Sequence, residues 1–167
     1  MKIAMLLIAV CSIVANVTSE GVQFENALWR QKVVLFQSTR ADVEKLFGKP
    51  IGENGSPYRL EDGTLYLEYY DYDHCKPWHG RAADWNIPEW TVTEITFSPS
   101  QPLQFKAFKL DLKGFRTAHL SPEVPDLLSY ISDQQGVEYT LEPDGTLNEV
   151  RYCPGTSYDR FRCPKKR

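Results

Sequence analysis

YRLEDGTLYLEYYDY, residues 58–72, decides how this chain is to be read, because it alternates with period two on either side of an Asp-Gly pair. Leu65, Leu67 and Tyr69 fall on one side of the second run, and Thr64, Tyr66, Glu68 and Tyr70 on the other. Successive side chains of a strand point to opposite faces, so this is strand, turn, strand with one face turned to a core.

Upstream, STRADVEKLFGKP (38–50) changes period. Thr39 caps a first turn and Asp42, three residues on, completes a capping box. Val43, Leu46 and Phe47 share a face, Gly48 suits a left-handed exit and Pro50 forbids continuation, which predicts a short amphipathic helix over 40–47. The preceding ALWRQKVVLFQ (27–37) fits a strand or a turn of helix equally well.

Downstream, WTVTEITFSP (90–99) reads as a strand with Thr93, Ile95 and Phe97 on its more apolar face, ended by Pro99 and Pro102. Residues 103–125, broken by Gly114, Pro122 and Pro125, read as a connection holding a short edge strand around Phe108–Leu112. DLLSYIS (126–132), GVEYTLE (136–142) and TLNEVRYC (146–153) then form a meander with turns at DQQG and PDG. The expected fold is α+β: one short N-terminal amphipathic helix packed on an antiparallel sheet of about six strands built from hairpins. The runs from Tyr58 and from Tyr139 share Tyr-x-Leu-Glu, Asp-Gly and Thr-Leu, a pattern that one hairpin used twice, or any two antiparallel hairpins, would produce.

Residues 1–19, MKIAMLLIAVCSIVANVTS, carry one charge at Lys2, an apolar run from Ile3 to Val14 and small residues near the end, the layout of a secretory signal peptide cut after Ser19 or, as second choice, Ala15. The apolar run is short of the roughly 20 residues that a spanning helix needs, so no transmembrane segment is expected. Bulky Val10 before Cys11 disfavours lipid attachment. Residues 20–167 are of single-domain size. Lys2 leaves with the signal, so 18 of the 19 basic residues face 22 acidic ones, a net charge of −4 that argues against nucleic acid.

Chemistry-bearing residues crowd into YYDYDHCKPWHGRAADWNIPEW (69–90). His74, His79 and Asp73, with Cys75 or Asp71 nearby, could supply ligands for zinc and make a metal-dependent envelope hydrolase the alternative reading. Their spacing opposes it: neighbours His74 and Cys75 point apart in an extended segment, Pro77 stiffens the path to His79, and the chain has no Cys-x-x-Cys. No Gly-x-Ser-x-Gly elbow occurs either, and 22 acidic residues make any chosen carboxylate pair uninformative. No catalytic residue and no cofactor is therefore assigned. Aromatics reach 13% of the chain. Trp78, Trp85, Tyr70 and Tyr72 are the candidate binding residues, since aromatics bury large area at low entropic cost, whereas Trp90 at the strand entrance is expected in the core. The terminal PKKR reads as a solvated tail. Without the signal, Cys75, Cys153 and Cys163 leave one thiol over, and two pairings compete, Cys75–Cys163 and Cys153–Cys163. In the chain-entropy model the longer closure stabilises more.

STRADVEKLFGKP, DWNIPEWTVTEITFSP and GVEYTLEPDGTLNEVRYCPGTSYDRFRC resemble a group of uncharacterised secreted bacterial proteins that share Ser-Thr-Arg-x-Asp-Val-Glu, Trp-Asn-x-Pro before a strand and a Tyr-rich end closing on cysteine. More remotely, the helix followed by hairpins is similar to SmpA/OmlA-type outer-membrane-assembly domains and to β-lactamase-inhibitor-like domains. The first resemblance implies cysteines at the positions of Cys75 and Cys163, hence a bridge between them. Together these readings imply a secreted or periplasmic non-catalytic binding or scaffold protein. It would contact an unknown protein or envelope component through its sheet face and the 71–90 loop.

Overall fold

The structure, a computed structural model, describes residues 32–52, 56–76, 84–121 and 124–164, without the side chains at 120, 121, 124 and 125. The expected signal segment lies outside the described residues. A helix α1 (Arg40–Phe47) precedes seven strands: β1 (Tyr58–Arg59), β2 (Gly63–Tyr69), β3 (Val92–Pro99), β4 (Arg116–Ser121), β5 (Val124–Ser132), β6 (Val137–Leu141) and β7 (Leu147–Tyr152). They form one sheet in the order β1-β2-β3-β7-β6-β5-β4, every neighbouring pair antiparallel. The sheet is thus two meanders, β1–β3 and β4–β7, joined through their last strands.

The expectation of about six strands becomes seven, and the edge strand expected around Phe108–Leu112 lies elsewhere, at Arg116–Ser121. Phe105–Phe108 form a 3₁₀ helix instead, ended by Lys109 in the left-handed region (φ 50°). Aromatic packing accounts for it. Phe105 sits 5.4 Å from the Tyr130 ring and 5.2 Å from that of Tyr139, so this connection is a lid over the second meander, bridged to it at Gln104 and Thr146 before the 3₁₀ turn ends the pairing.

α1 is built as its sequence dictates. Thr39 Oγ1 accepts from the Asp42 amide (3.3 Å), Asp42 accepts from the Thr39 amide (2.9 Å), and the Gly48 amide donates to the Glu44 carbonyl (2.9 Å). Its buried face is narrower than expected. Val43 is fully buried, Phe47 is half-buried 6.1 Å from the Tyr58 ring, and Leu46 is 41% exposed. The segment before the helix is tied to β3, with Phe36 donating to the Val92 carbonyl, Val92 donating to Ser38 and Arg40 donating to Trp90, each at 2.9 Å. This anchors α1 by its first turn, while in its last turn Phe47 packs toward Tyr58 and Lys45 and Leu46 face solvent. Trp90, expected in the core, is 45% exposed beneath the Arg40 guanidinium, 5.5 Å from its ring centre. Thr91 takes the buried position instead.

The two similar hairpins turn differently. In the first, Leu60 donates to the Gly63 carbonyl (2.8 Å), and Gly63 is needed for close approach: a Cβ there would strike the Ser98 carbonyl and the Phe97 ring. In the second, Gly145 has φ 81°, the left-handed conformation that favours glycine. A bulge between Glu68 and Tyr69 pairs Tyr69 with Val92 and Glu68 with Glu94, skipping Thr93. Val92 therefore joins Ile95 and Phe97 in the core, which strict alternation would forbid.

Replacing Val43 by Ala should cost roughly 2 kcal/mol in urea melts, from two lost buried carbons and the space they leave. Thr39→Ala should cost about 1 kcal/mol through the cap, and Leu46→Ala less than about 0.5 kcal/mol. A larger loss at Leu46 than at Val43 would show the helix seated by its other face.

Candidate functional site

Residues 70–76 and 84–90 are clamped to the chain end. The Tyr70 hydroxyl donates to the Trp85 carbonyl (2.7 Å) and accepts from the Trp85 amide (3.0 Å), so one buried phenol satisfies both backbone groups. The half-buried Trp85 ring meets Phe36 edge-on at 4.9 Å and carries the Arg162 guanidinium 4.3 Å from its centre. Asn86 donates to Phe161 (2.7 Å) and Cys163 to Asp84 (2.9 Å), and a disulfide joins Cys75 to Cys163 across 88 residues with a Cα separation of 5.6 Å. Tyr72 is half-buried with its ring 5.4 Å from that of Tyr70. Of the four candidate binding residues, Tyr70, Tyr72 and Trp85 thus come together as packing within the loop, while Trp78 lies outside the described residues.

The metal alternative places as follows. His74 and Cys75 are not extended, with φ of 45° and 61°. Asp73 accepts from Lys76 Nζ (2.6 Å) and pairs with His74 Nδ1 (2.5 Å); the Lys76 hydrogen bond first, then that of His74, holds its carboxyl below the usual range. Both Asp73 oxygens are therefore committed. His79 lies outside the described residues, and among the described residues no group of three or more His, Cys, Asp or Glu could hold a metal ion.

A second constellation lies on the sheet. All strand residues of the core cluster project to one face. The opposite face carries a row that crosses six strands in register: Tyr66, Thr96, Arg151, Glu138, Ile131 and Arg116. Arg151 Nη2 lies 2.6 Å from Glu138, whose side chain is only 10% exposed, and Nη1 lies 3.8 Å from Glu94. Glu94 is directly opposite Glu68 on β2, and Glu149 projects beside Arg151 from β7. Two carboxylates thus pair with the guanidinium, while Glu68 and Glu149 stand beside them on the same face. Burial pushes the Glu94 carboxyl up, with Glu68 adding to the effect and Arg151 opposing it, and burial likewise raises Glu149.

Toward β4 the face dips into a hollow of about 380 Å³ lined by Arg116, Ser129, Ile131, Glu138, Arg151 and Cys153, among others. Arg116 grips Asp133 with two nitrogens at 3.0 and 3.2 Å. Cys153 is a free, half-buried thiol whose pKa burial raises, so it is held protonated and poorly nucleophilic. This face was visible in the sequence only as outward polar residues in each strand. Its assembly depends on the β3–β7 register, between residues some 55 apart in the chain.

No family model and no curated protein matches the chain. Among solved structures it is similar to a DUF4309 family protein, YjgB, from Bacillus subtilis, with 17% identity and a TM-score of 0.50 over 74% of this chain and 84% of that one. At that identity the likeness concerns the fold alone.

Two measurements probe these features. Reducing the Cys75–Cys163 bridge should lower stability by up to ~4 to 5 kcal/mol, the chain-entropy value for a closure of this length; an unchanged melting curve would show that the clamp holds without it. For Glu94, a folded pKa above the unfolded one means that its stabilising contribution is complete below the unfolded value and is lost as pH rises through the folded value. Glu94→Gln should therefore stabilise by about 0.5 kcal/mol near neutral pH, the scale of one like-charge cross-strand pair after solvent screening. The gain should vanish below about pH 4, where the carboxyl is protonated in both states. A variant less stable than the parent at neutral pH would mean that the Arg151 contact outweighs burial and repulsion.

Proposed function

We propose that this protein is an extracytoplasmic binding or scaffold module with no catalysis of its own, which engages a protein or envelope component through the face of its sheet opposite the core. One observation carries the reading: the core occupies one side of a seven-stranded sheet, while the other presents an ordered, half-buried polar row across six strands. A polar face that served only solvation would not need partly desolvated carboxylates, which lower stability unless something else uses them. Within this reading Tyr70, Tyr72 and Trp85 hold the loop in place, and contact passes to the sheet.

Two features support export, the signal-like residues 1–19 and a disulfide of the kind that persists in oxidising compartments. Among the described residues no helix is long and apolar enough to cross a membrane. The fold likeness to YjgB names no activity.

The test is affinity capture from an envelope extract with the mature chain and with Thr96→Arg, which places a long charged side chain at the middle of the row. The expected result is a partner recovered by the parent and lost by the variant at unchanged melting temperature. Equal recovery by both would remove the sheet face from the contact.

A further inference from the structure

Val33, Leu35 and Phe36 are buried, but Val34 among them is 36% exposed. A turn fixes its backbone: the Val34 carbonyl accepts from the Gln37 and Ser38 amides (3.2 and 2.9 Å), and its amide donates to the Ser38 hydroxyl (2.9 Å). Val34 lines a groove of about 510 Å³ together with Leu46 of α1, which is 41% exposed although its period is that of a core residue. Lys32, Asp42 and Lys45 line the same groove. Neither lysine enters an ion pair among the described residues. Asp42 commits Oδ2 to the Thr39 amide and hydroxyl, at 2.9 and 2.7 Å, whereas its Oδ1 enters none of the hydrogen bonds among the described residues.

We propose that two copies of this chain meet at the groove, α1 of one lying antiparallel to α1 of the other across a two-fold axis. The order of charges selects the occupant. Asp42 and Lys45 lie three residues apart on one face of the helix. Reversing the second helix sets Asp42 of each copy against Lys45 of the other, so the pair forms twice. An isologous contact needs this self-complementarity, in which residue i meets j and j meets i. Val34 and Leu46 supply apolar surface beside the pair, and exposed Lys32 stays at the rim. An acidic partner would face Asp42 with like charge, and an apolar one would cover Asp42 and Lys45 unpaired. This surface is distinct from the sheet face above, and neither reading depends on the other. An eight-residue helix and one turn bury less than the roughly 1,200 Å² of a standard interface, so the dimer is weak, with a dissociation constant on the order of 100 μM.

Sedimentation equilibrium of the mature chain, run from well below to well above that concentration, reads the association directly. The parent should pass from monomer to dimer. Lys45→Glu and Leu46→Glu change exposed positions, so both should fold, with melting curves as the check, and each should weaken the dimer by about tenfold or more. Asp42→Lys should repel its own kind in the same way. Mixed in equal amounts with Lys45→Glu, it should form a heterodimer of near-parental affinity, because both contacts again join opposite charges. If the missing cap unfolds Asp42→Lys, Lys45→Glu and Leu46→Glu decide by themselves. A monomer at every concentration, undiminished dimerisation of either of these two, or no heterodimer from two folded charge variants would overturn the proposal and leave the sheet-face reading as it stands.

Discussion

The pairing of β3 with β7 is the contact on which the rest of the structure depends. It joins two meanders that are each built from neighbours in sequence, through three registered pairs, Ile95 with Tyr152, Thr96 with Arg151 and Phe97 with Val150. The outer two place Ile95, Phe97 and Val150 in one core, and the middle one sets Arg151 beside the acidic strands of the first meander. Slipping this register by one residue would bury Arg151 and expose Val150, so core and polar face are specified by the same choice.

Around that join the molecule divides its tasks. The core side is closed by pieces of irregular chain, each bringing aromatics: Phe36 from the segment before α1, Phe105 from the connection after β3, and Tyr158 and Phe161 from the last 3₁₀ helix, Thr156–Phe161. The 13% aromatic content is largely absorbed here. The loop that looked richest in chemistry is one of these closures. Its tyrosine, tryptophan and cysteine bind it to the chain end, with Arg162 over one ring and the disulfide beyond. The polar row lies on the other side of the sheet, running from exposed Tyr66 to buried Glu138 and exposed Arg116.

Local signals were read well where local physics decides. The capping box, glycine exit and proline of 38–50 form α1 with its expected bounds, because those hydrogen bonds join residues three or four apart. Most of the alternating runs became strands because their hairpin partners are close in sequence. Errors arose where packing at a distance overrode pattern. Leu46 has the periodicity of a core residue but lies past the anchored turn of α1, Trp90 is displaced from the core by the backbone pairing of Tyr70 with Thr91, and Phe105 and Phe108 curl into a lid over Tyr130 and Tyr139. The bulge that brings Val92 inward is likewise a product of strand pairing.

By itself, then, the sequence determined the α+β class, the helix and the hairpins, all matters of short-range geometry or composition. Which two of three cysteines meet, which way the aromatic loop faces and which charges share a surface were decided only by tertiary structure. The physical reason is sequence separation. Cys75 and Cys163 are 88 residues apart, and Glu94 and Arg151 meet only because β3 and β7 pair in one register. Alternation names the residues on each face of a strand, but their cross-strand neighbours are chosen by the packing of the core beneath them.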